Sequence, residues 1–236
     1  MVMEIVMSEK LHQTQSMLEK HHGNGEKFAR LMEETYSGRF NEAFWSMWKN
    51  HIQPGLPENP LVVDLGAGPA LFIKDLVARY PNVNAYGVEC APYMLEAVGE
   101  LPANAHIIAA DLQDPKLFFD NNSVDAIIAS VVVHEMQQPI RMFKEMNRIL
   151  KPGARFYVLD WIRVPLQTYL RKMERNPFDD SLSLDELEDL FVHFIEHNRF
   201  SIDDLIFMLQ NTGFNVIDKA IQNEGQHAWL LVEKPE

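Results

Sequence analysis

Residues 61–72, LVVDLGAGPALF, place one acidic residue near the end of an apolar run and follow it with a glycine-rich turn. The run has the length of a buried β-strand, and the residues after the turn, 69–80, are helical in character. Glycines at such a turn allow a ligand to approach the backbone closely. In sheets of parallel strands, ligands bind beyond the carboxyl ends of the strands. The stretch therefore predicts the first strand of an α/β domain with a ligand site at its end.

The alternation of apolar strands and helices continues along the chain. Further strands are predicted at these ranges: 83–89, 105–111, 123–133 and 154–162. The helix before the last of them, 139–153, carries basic residues in its last turn and stops at a Pro-Gly pair. Two strand-like runs, 214–221 and 227–234, are joined by a short connection and predict an antiparallel hairpin at the sheet edge. The predicted fold is α/β: a doubly wound, seven-stranded, mostly parallel sheet whose last strand is antiparallel, with helices on both faces.

Two helical segments lie outside this alternation. Residues 1–52 predict an N-terminal helical lid, which the proline-rich run 53–60 separates from the main domain, 53–236. Within that domain, 163–200 is an acidic, helical insertion. Its helix 183–198 begins with a capping-box pattern, Ser and Glu three residues apart. Both segments are expected to cover the ligand site.

Composition and charge exclude several classes of partner. The chain has 34 acidic and 21 basic residues, a net charge of −13, whereas nucleic-acid binding rests on Lys and Arg neutralising phosphates. Nucleic acid is therefore disfavoured and a small-molecule substrate favoured. No stretch approaches the roughly 20 apolar residues that cross a membrane. The single cysteine, Cys90, and a start without a basic, then apolar, leader predict a cytoplasmic protein. A homodimer is compatible with the sequence.

Two classes of cofactor use a glycine turn of this kind. The dinucleotide pattern is G-x-G-x-x-G, with a pyrophosphate on the helix N-terminus. Here Leu71 stands at the third glycine position, and Pro69 removes a backbone N–H that a phosphate would use. Asp64, two residues before the first glycine, suits a ligand with positive charge better than a phosphate. An NAD-dependent oxidoreductase stays as an alternative that NAD binding would reveal.

The run VVDLGAGPA resembles motif I of the class I S-adenosylmethionine-dependent methyltransferases, D/E-x-G-x-G-x-G, with Ala70 in place of the last glycine. The resemblance extends over about residues 55–160. In the resembled family an acid ending strand two receives the ribose hydroxyls, and Glu89 matches it. An Asp ending strand three meets the adenine amino group, and Asp111 matches, with Leu112 as an apolar neighbour of the ring.

The resemblance implies S-adenosylmethionine as the cofactor and a defined set of contact residues. The predicted cofactor-binding residues are Asp64, Gly66, Ala67, Gly68, Glu89, Cys90, Asp111, Leu112 and Ser130. Alternatives remain for individual members. Asp64 alone would serve as a helix cap, Glu89 and Asp111 as loop acids, and Cys90 as a small buried residue.

Catalysis in such a site needs alignment of the acceptor, the methyl group and the sulfur more than it needs a catalytic triad. A general base is required only when the acceptor arrives protonated. His134, directly after strand four, is the candidate base because its ordinary pKa lies near neutrality; a histidine that packs beside the cofactor is the alternative. Asp160 and Trp161, at the end of strand five, are the candidate acceptor contacts.

Aromatic residues of the N-terminal segment have two possible roles. These residues are Tyr36, Phe40, Trp45 and Trp48. As a wall facing the sulfonium they would attract it through cation–π interactions. As a helical stripe they would be part of the core.

The segment HFIEH, 193–197, matches H-x-x-E-H, a pattern of zinc proteases. Two histidines at i and i+4 on a helix can share a metal ion. Because the sequence shows no location for a third ligand, we predict no metal site. The segment is instead expected to be a lid helix with Phe191, Phe194 and Ile195 buried.

The sequence thus predicts an S-adenosylmethionine-dependent methyltransferase that acts on a small molecule by in-line transfer beneath an acidic lid. A protein methyltransferase is one alternative, because an acidic rim suits a basic peptide. A binding module that keeps the cofactor pocket without catalysis is another.

Overall fold

The computed structural model describes residues 9–172 and 176–236. Its centre is a seven-stranded sheet in the order β3-β2-β1-β4-β5-β7-β6. The strands are β1 (Leu61–Leu65), β2 (Asn84–Glu89), β3 (Ala105–Ala109), β4 (Val124–Ser130), β5 (Leu150–Trp161), β6 (Asn215–Gln222) and β7 (His227–Glu233). Strands β1 to β5 pair in parallel, and β7 lies antiparallel between β5 and β6. The predicted fold class is confirmed.

Helices cover both faces of the sheet and one end of it. They are α1 (Glu9–His22), α2 (Gly25–Glu34), α3 (Tyr36–Arg39), α4 (Glu42–Met47), α5 (Leu71–Arg79), α6 (Pro92–Glu96), α7 (Ile140–Ile149), α8 (Leu166–Lys172), α9 (Leu184–His197) and α10 (Ile202–Asn211). Helices α7 and α10 contribute apolar side chains to the core on one face, and α4 and α5 do so on the other. Among the described residues, no helix combines the length and the apolar character that a membrane crossing requires.

The centre of the sheet is buried on both faces, which explains its continuous apolar runs. Along β4, Ile127 packs in the core cluster of α7 and α10, and its neighbour Ile128 packs in the cluster of α4 and α5. Successive side chains of a strand point to opposite faces, and because helices cover both faces, both residues are fully buried. Each contributes roughly 1.5–3 kcal/mol of stabilisation relative to an exposed side chain.

The N-terminal aromatic residues divide between the two roles considered for them. Trp48, in a π-helical turn after α4, is fully buried and packs in the core against α5. Trp45 packs at the edge of the same cluster. Phe40 is a buried member of this cluster and Tyr36 packs against it, and both also line the large cavity at the ends of the strands. The second half of the N-terminal segment is therefore part of the core as well as part of a cover.

Several element boundaries differ from the expected ones, for local reasons. Strand β4 ends at Ser130 because Val131 adopts a left-handed φ of 59°, a conformation that is strained for a β-branched residue. Residues 36–39 form a separate short helix, α3, within the N-terminal segment. On α9, Phe191 and Ile195 are 40 % and 63 % exposed. The prediction that these two side chains are buried was wrong.

Candidate functional site

A cavity of about 790 Å³ lies at the carboxyl ends of the central strands, between the sheet and helices α1, α2, α3 and α9. Eleven of the twelve predicted site residues line it: Asp64, Gly66, Ala67, Gly68, Glu89, Cys90, Asp111, Leu112, Ser130, His134 and Trp161. The volume lies within the roughly 300–1,000 Å³ of small-molecule sites. The remaining predicted residue, Asp160, lies beneath the lining.

The glycine turn joins β1 to α5 and forms the floor of the cavity. The N–H groups of Gly66 and Ala67 donate to the carbonyl of Val88, at 2.9 and 3.0 Å, which ties the turn to β2. Gly66 has a φ of +66°, and a Cβ added there would lie 2.6 Å from Val132 Cγ2. Ala70 is also left-handed, with a φ of 64°, which costs a non-glycine residue about 1–2 kcal/mol. The departure from the glycine pattern is therefore accommodated with strain.

Glu89 connects the end of β2 to the glycine turn. Its Oε2 accepts the N–H of Gly68 at 2.9 Å, and its Oε1 accepts those of Cys90 and Ala91 at 2.7 and 2.8 Å. Burial raises the pKa of this carboxyl, and the three N–H donors counteract part of that rise. The carboxylate thus fixes the shape of the turn, and Oε2 retains a lone pair for a ligand hydroxyl.

Unpaired polar groups next to the turn face the cavity. The carboxylate of Asp64 is 3 % exposed, and no hydrogen-bond donor among the described residues reaches it. Burial, with the nearby charge of Glu89, raises its pKa well above the ordinary value, and Arg39 opposes this rise. The buried hydroxyl of Ser130 also has no partner in the described part of the chain. A ligand with positive charge and hydrogen-bonding groups would satisfy both residues.

Helix α1 closes the cavity over the end of β3. Thr14 Oγ1 donates to Asp111 at 2.9 Å, and Gln15 Nε2 donates to the carbonyl of Cys90 at 2.8 Å. The second oxygen of Asp111 accepts the N–H of Gln113 at 2.8 Å. Sequence reasoning missed Thr14 and Gln15 because no local pattern distinguishes them from other polar residues of an exposed helix.

Arg39, at the end of α3, is another residue that the sequence analysis missed. Within the described ranges it is the one Lys or Arg side chain in the cavity lining. Its guanidinium donates to Thr35 Oγ1 at 2.8 Å and to the Met32 carbonyl at 3.2 Å. Burial lowers its pKa, although Asp64 partly restores it. This cation faces the same part of the cavity as the acidic residues.

Asp160 has a different role from the predicted acceptor contact. It is 0 % exposed, and all its partners belong to the protein. Oδ2 accepts hydrogen bonds from the backbone N–H groups of Val132 and Val133. Oδ1 accepts the backbone N–H of Trp161 at 2.7 Å and lies 2.7 Å from His134 Nδ1. The carboxylate therefore holds the strained loop after β4 and orients His134, and does not reach the cavity.

His134 lines the cavity, but its charge state differs from that of a general base. Burial alone would lower its pKa, yet the carboxylates of Asp160 and Glu135 outweigh burial and raise the pKa to about 10. The two carboxylates thus favour the protonated form of the imidazole. The expectation that it accepts a proton from the acceptor is not supported by this arrangement.

Histidines gather at the end of the cavity beside His134. The two histidines of HFIEH, His193 and His197, lie on α9 facing the cavity, and His21 of α1 lies against them. The ring centroids of His134 and His197 are 5.0 Å apart. The sequence pattern alone could not place a third histidine near HFIEH, and the fold places two there.

Comparisons with known proteins agree with this geometry. The family described as "Methyltransferase domain" matches residues 63–158. The malonyl-[acyl-carrier protein] O-methyltransferase of Legionella pneumophila is 29% identical over 92 residues, 38% of this chain and 32% of the relative. The sterol 24-C-methyltransferase of Kluyveromyces lactis is 23% identical over 187 residues, 74% of this chain and 46% of the relative. Each match thus spans less than half of the relative's own length.

A solved structure shows the same fold. The S-adenosylmethionine-dependent methyltransferase of Aquifex aeolicus superposes with a TM-score of 0.60 and 16% sequence identity, and the alignment covers 89% of this chain and 98% of that one. The sheet order and the cavity at the glycine turn thus accompany a region, residues 63–158, that is similar to the family described as "Methyltransferase domain".

Proposed function

We propose that this protein binds S-adenosylmethionine in the cavity and transfers its methyl group to a small-molecule acceptor. The observation that carries the proposal is the cavity itself. All nine residues expected to bind the cofactor line it, and helices of the N-terminal segment and of the insertion cover it.

The residues of the glycine turn fit this cofactor. Glu89 has a free acceptor position on Oε2 for the ribose hydroxyls. Asp111 and Leu112 are at the end of β3, where the adenine would lie, and Asp64 offers an unpaired buried carboxylate to a cationic group. Arg39 is a partner of opposite sign for the cofactor's carboxylate. When bound, S-adenosylmethionine would supply an electrophilic methyl group on a sulfonium.

The covered cavity favours a small acceptor over a protein. Helix α1 is joined to the core through Thr14 and Gln15, and it reaches α9 through the contact of His21 with Glu196. We propose that the described parts of segments 1–52 and 163–200, residues 9–52, 163–172 and 176–200, act together as the lid over the rest of domain 53–236. A methyltransferase of proteins would need an open groove at this face. Of the relatives, the sterol 24-C-methyltransferase is named for a small-molecule acceptor, and the malonyl-[acyl-carrier protein] O-methyltransferase is named for a malonyl group on a carrier protein.

Alignment and exclusion of water are the main contributions of the chain to the reaction. The lid covers part of the cavity, and Tyr36 and Phe40 belong to its lining. An aromatic ring that faces the sulfonium would stabilise its positive charge. Because Asp160 and Glu135 raise the pKa of His134 and favour its protonated form, the proposal assigns proton removal to no residue. An acceptor that is already deprotonated, or one that reacts as a neutral nucleophile, needs no such group.

The test is methyl transfer from labelled S-adenosylmethionine to a panel of hydrophobic alcohols, carboxylic acids, thioesters and amines, with basic peptides as a second panel. Formation of S-adenosylhomocysteine together with labelled small molecule supports the proposal. Label in the peptides alone would identify a protein methyltransferase. Tight binding of the cofactor without transfer to either panel would favour a non-catalytic binding module. The predicted cytoplasmic location and homodimer stay predictions.

A further inference from the structure

Three histidines from separate parts of the chain converge at the lid side of the cavity. His21 belongs to α1, His134 to the loop after β4, and His197 to α9. Their ring centroids are 5.3 Å apart for His21 and His197, 5.0 Å for His134 and His197, and 6.4 Å for His21 and His134. One nitrogen of each ring lies within 4.8 Å of the corresponding nitrogens of the other two.

Each of these rings is held through its Nδ1 atom. His134 Nδ1 lies 2.7 Å from Asp160 Oδ1, His197 Nδ1 lies 2.9 Å from the carbonyl oxygen of His193, and His21 Nδ1 contacts Glu196 Oε2. A carboxylate or carbonyl on one ring nitrogen fixes the orientation of the ring and leaves Nε2 as the ligand, as in metal-binding histidines. The same support recurs three times, with three different acceptors.

We propose that His21, His134 and His197 bind one divalent first-row transition-metal ion through their Nε2 atoms, with Glu135 as the adjoining carboxylate. Glu135 Oε1 lies 3.3 Å from His21 Nε2 and 3.2 Å from His134 Nε2, so that an oxygen ligand stands beside the nitrogens. Three imidazoles and a carboxylate suit Zn²⁺, and also Co²⁺ or Ni²⁺. If the three rings moved closer together, each Nε2 atom would reach the Zn–N distance of roughly 2.0–2.1 Å from a shared ion.

The charges around the cluster fit a cation. Glu135 is mostly buried, Asp160 is fully buried and Glu196 is partly buried. In the described part of the chain, the ion-pair partners of these three carboxylates are all histidines, without Lys or Arg. Buried carboxylates require a paired charge or a metal ion, and a divalent ion would compensate two of them.

The ion would connect the lid to the sheet. Its ligands come from α1, from α9 and from the loop that Asp160 holds, so that binding would fasten both lid segments over the cavity. This role differs from that of the zinc-protease pattern that HFIEH matches. There His193 would be a ligand, whereas here its carbonyl supports His197 and its ring stacks on that residue at 3.9 Å.

The test is metal binding by the full chain after treatment with a chelator. The proposal predicts one equivalent of Zn²⁺ by calorimetry, and Co²⁺ binding with the visible absorption of a low-symmetry nitrogen-ligated ion. His197→Ala and His21→Ala each remove a ligand and should weaken Zn²⁺ binding by more than about 100-fold. Glu196→Gln changes only the hydrogen-bond partner of His21 and should weaken Zn²⁺ binding by about 10- to 100-fold. His51→Ala, at an exposed position outside the cavity, is the matched control and should bind as the wild type does.

Circular dichroism and thermal unfolding verify that each variant is folded. Wild-type stoichiometry and affinity in folded His21→Ala and His197→Ala would overturn the proposal. So would the absence of stoichiometric binding by the wild-type protein, or an equal loss in His51→Ala. Because metal binding is measured without methyl transfer, failure here leaves the proposed methyltransferase function standing.

Discussion

Replacing Glu89 by Gln tests the cofactor site at the residue that connects it to the fold. The amide oxygen can keep the N–H groups of Cys90 and Ala91, but the amide NH₂ then faces the N–H of Gly68, where Oε2 accepted a hydrogen bond. One hydrogen bond to a charged group, worth about 1.5–3 kcal/mol, is lost. Because burial raises the pKa of the carboxyl, removal of the buried charge offsets part of this cost.

The affinity for the cofactor should change more than the stability. In the proposed site the ribose hydroxyls would lose a charged acceptor worth about 1.5–3 kcal/mol, which corresponds to roughly a 10- to 150-fold rise in the Kd of the cofactor. Calorimetric titration with S-adenosylmethionine and S-adenosylhomocysteine measures this change, and thermal unfolding without ligand measures the stability. A net destabilisation of 1 kcal/mol would lower Tm by only about 2–4 °C in a chain of this size.

Glu145→Gln is a matched control, because the Glu145 carboxylate also accepts a backbone N–H, that of Leu117, but lies outside the cavity lining. It should lose stability without losing affinity. Wild-type affinity in a folded Glu89→Gln protein would refute the reasoning, because the residue would then have a structural role alone.

Three further predictions concern stability. The pKa of Asp64 is raised in the folded protein, so folding stability falls as the pH rises from the ordinary pKa of 3.8 through the pKa of the folded state. Thermal unfolding should therefore show that Asp64→Asn is more stable than the wild type at neutral pH. This difference should disappear below pH 3.8. Gly66→Ala should lower the free energy of unfolding in urea by about 2–4 kcal/mol, because the residue has a left-handed φ and the added Cβ would contact Val132. Gly99→Ala, whose left-handed residue lies in open space, should lower it by about 1–2 kcal/mol. Trp48→Ala, at a fully buried position, should cost about 3–5 kcal/mol, and a smaller loss would place Trp48 outside the core.

The sequence predicted those parts of the molecule that depend on local pattern. Strand ends carry Glu89 and Asp111 to one edge because parallel strands end on the same side of a sheet, and the glycine turn has a short, recognisable motif. The mostly parallel sheet follows from the alternation of strands with helices, and its antiparallel edge follows from the final hairpin. These features need no knowledge of distant contacts.

The histidine cluster and the role of Asp160 depend on tertiary structure, and no local pattern contains them. His21 contacts Glu196, which lies 175 residues later in the sequence. The sequence around His21 indicates only a helix that ends nearby. Asp160 resembles any acid at the end of a strand until its four partners are known. A fully buried carboxylate binds groups of the protein itself and does not contact a ligand, and burial can be known only from the folded chain.

The most direct measurement is a calorimetric titration of the purified protein with S-adenosylmethionine and S-adenosylhomocysteine, with NAD as the control ligand. The account predicts stoichiometric, micromolar binding of the first two and no binding of NAD. Binding of NAD alone, or of none of the three, would contradict the assignment of the cavity.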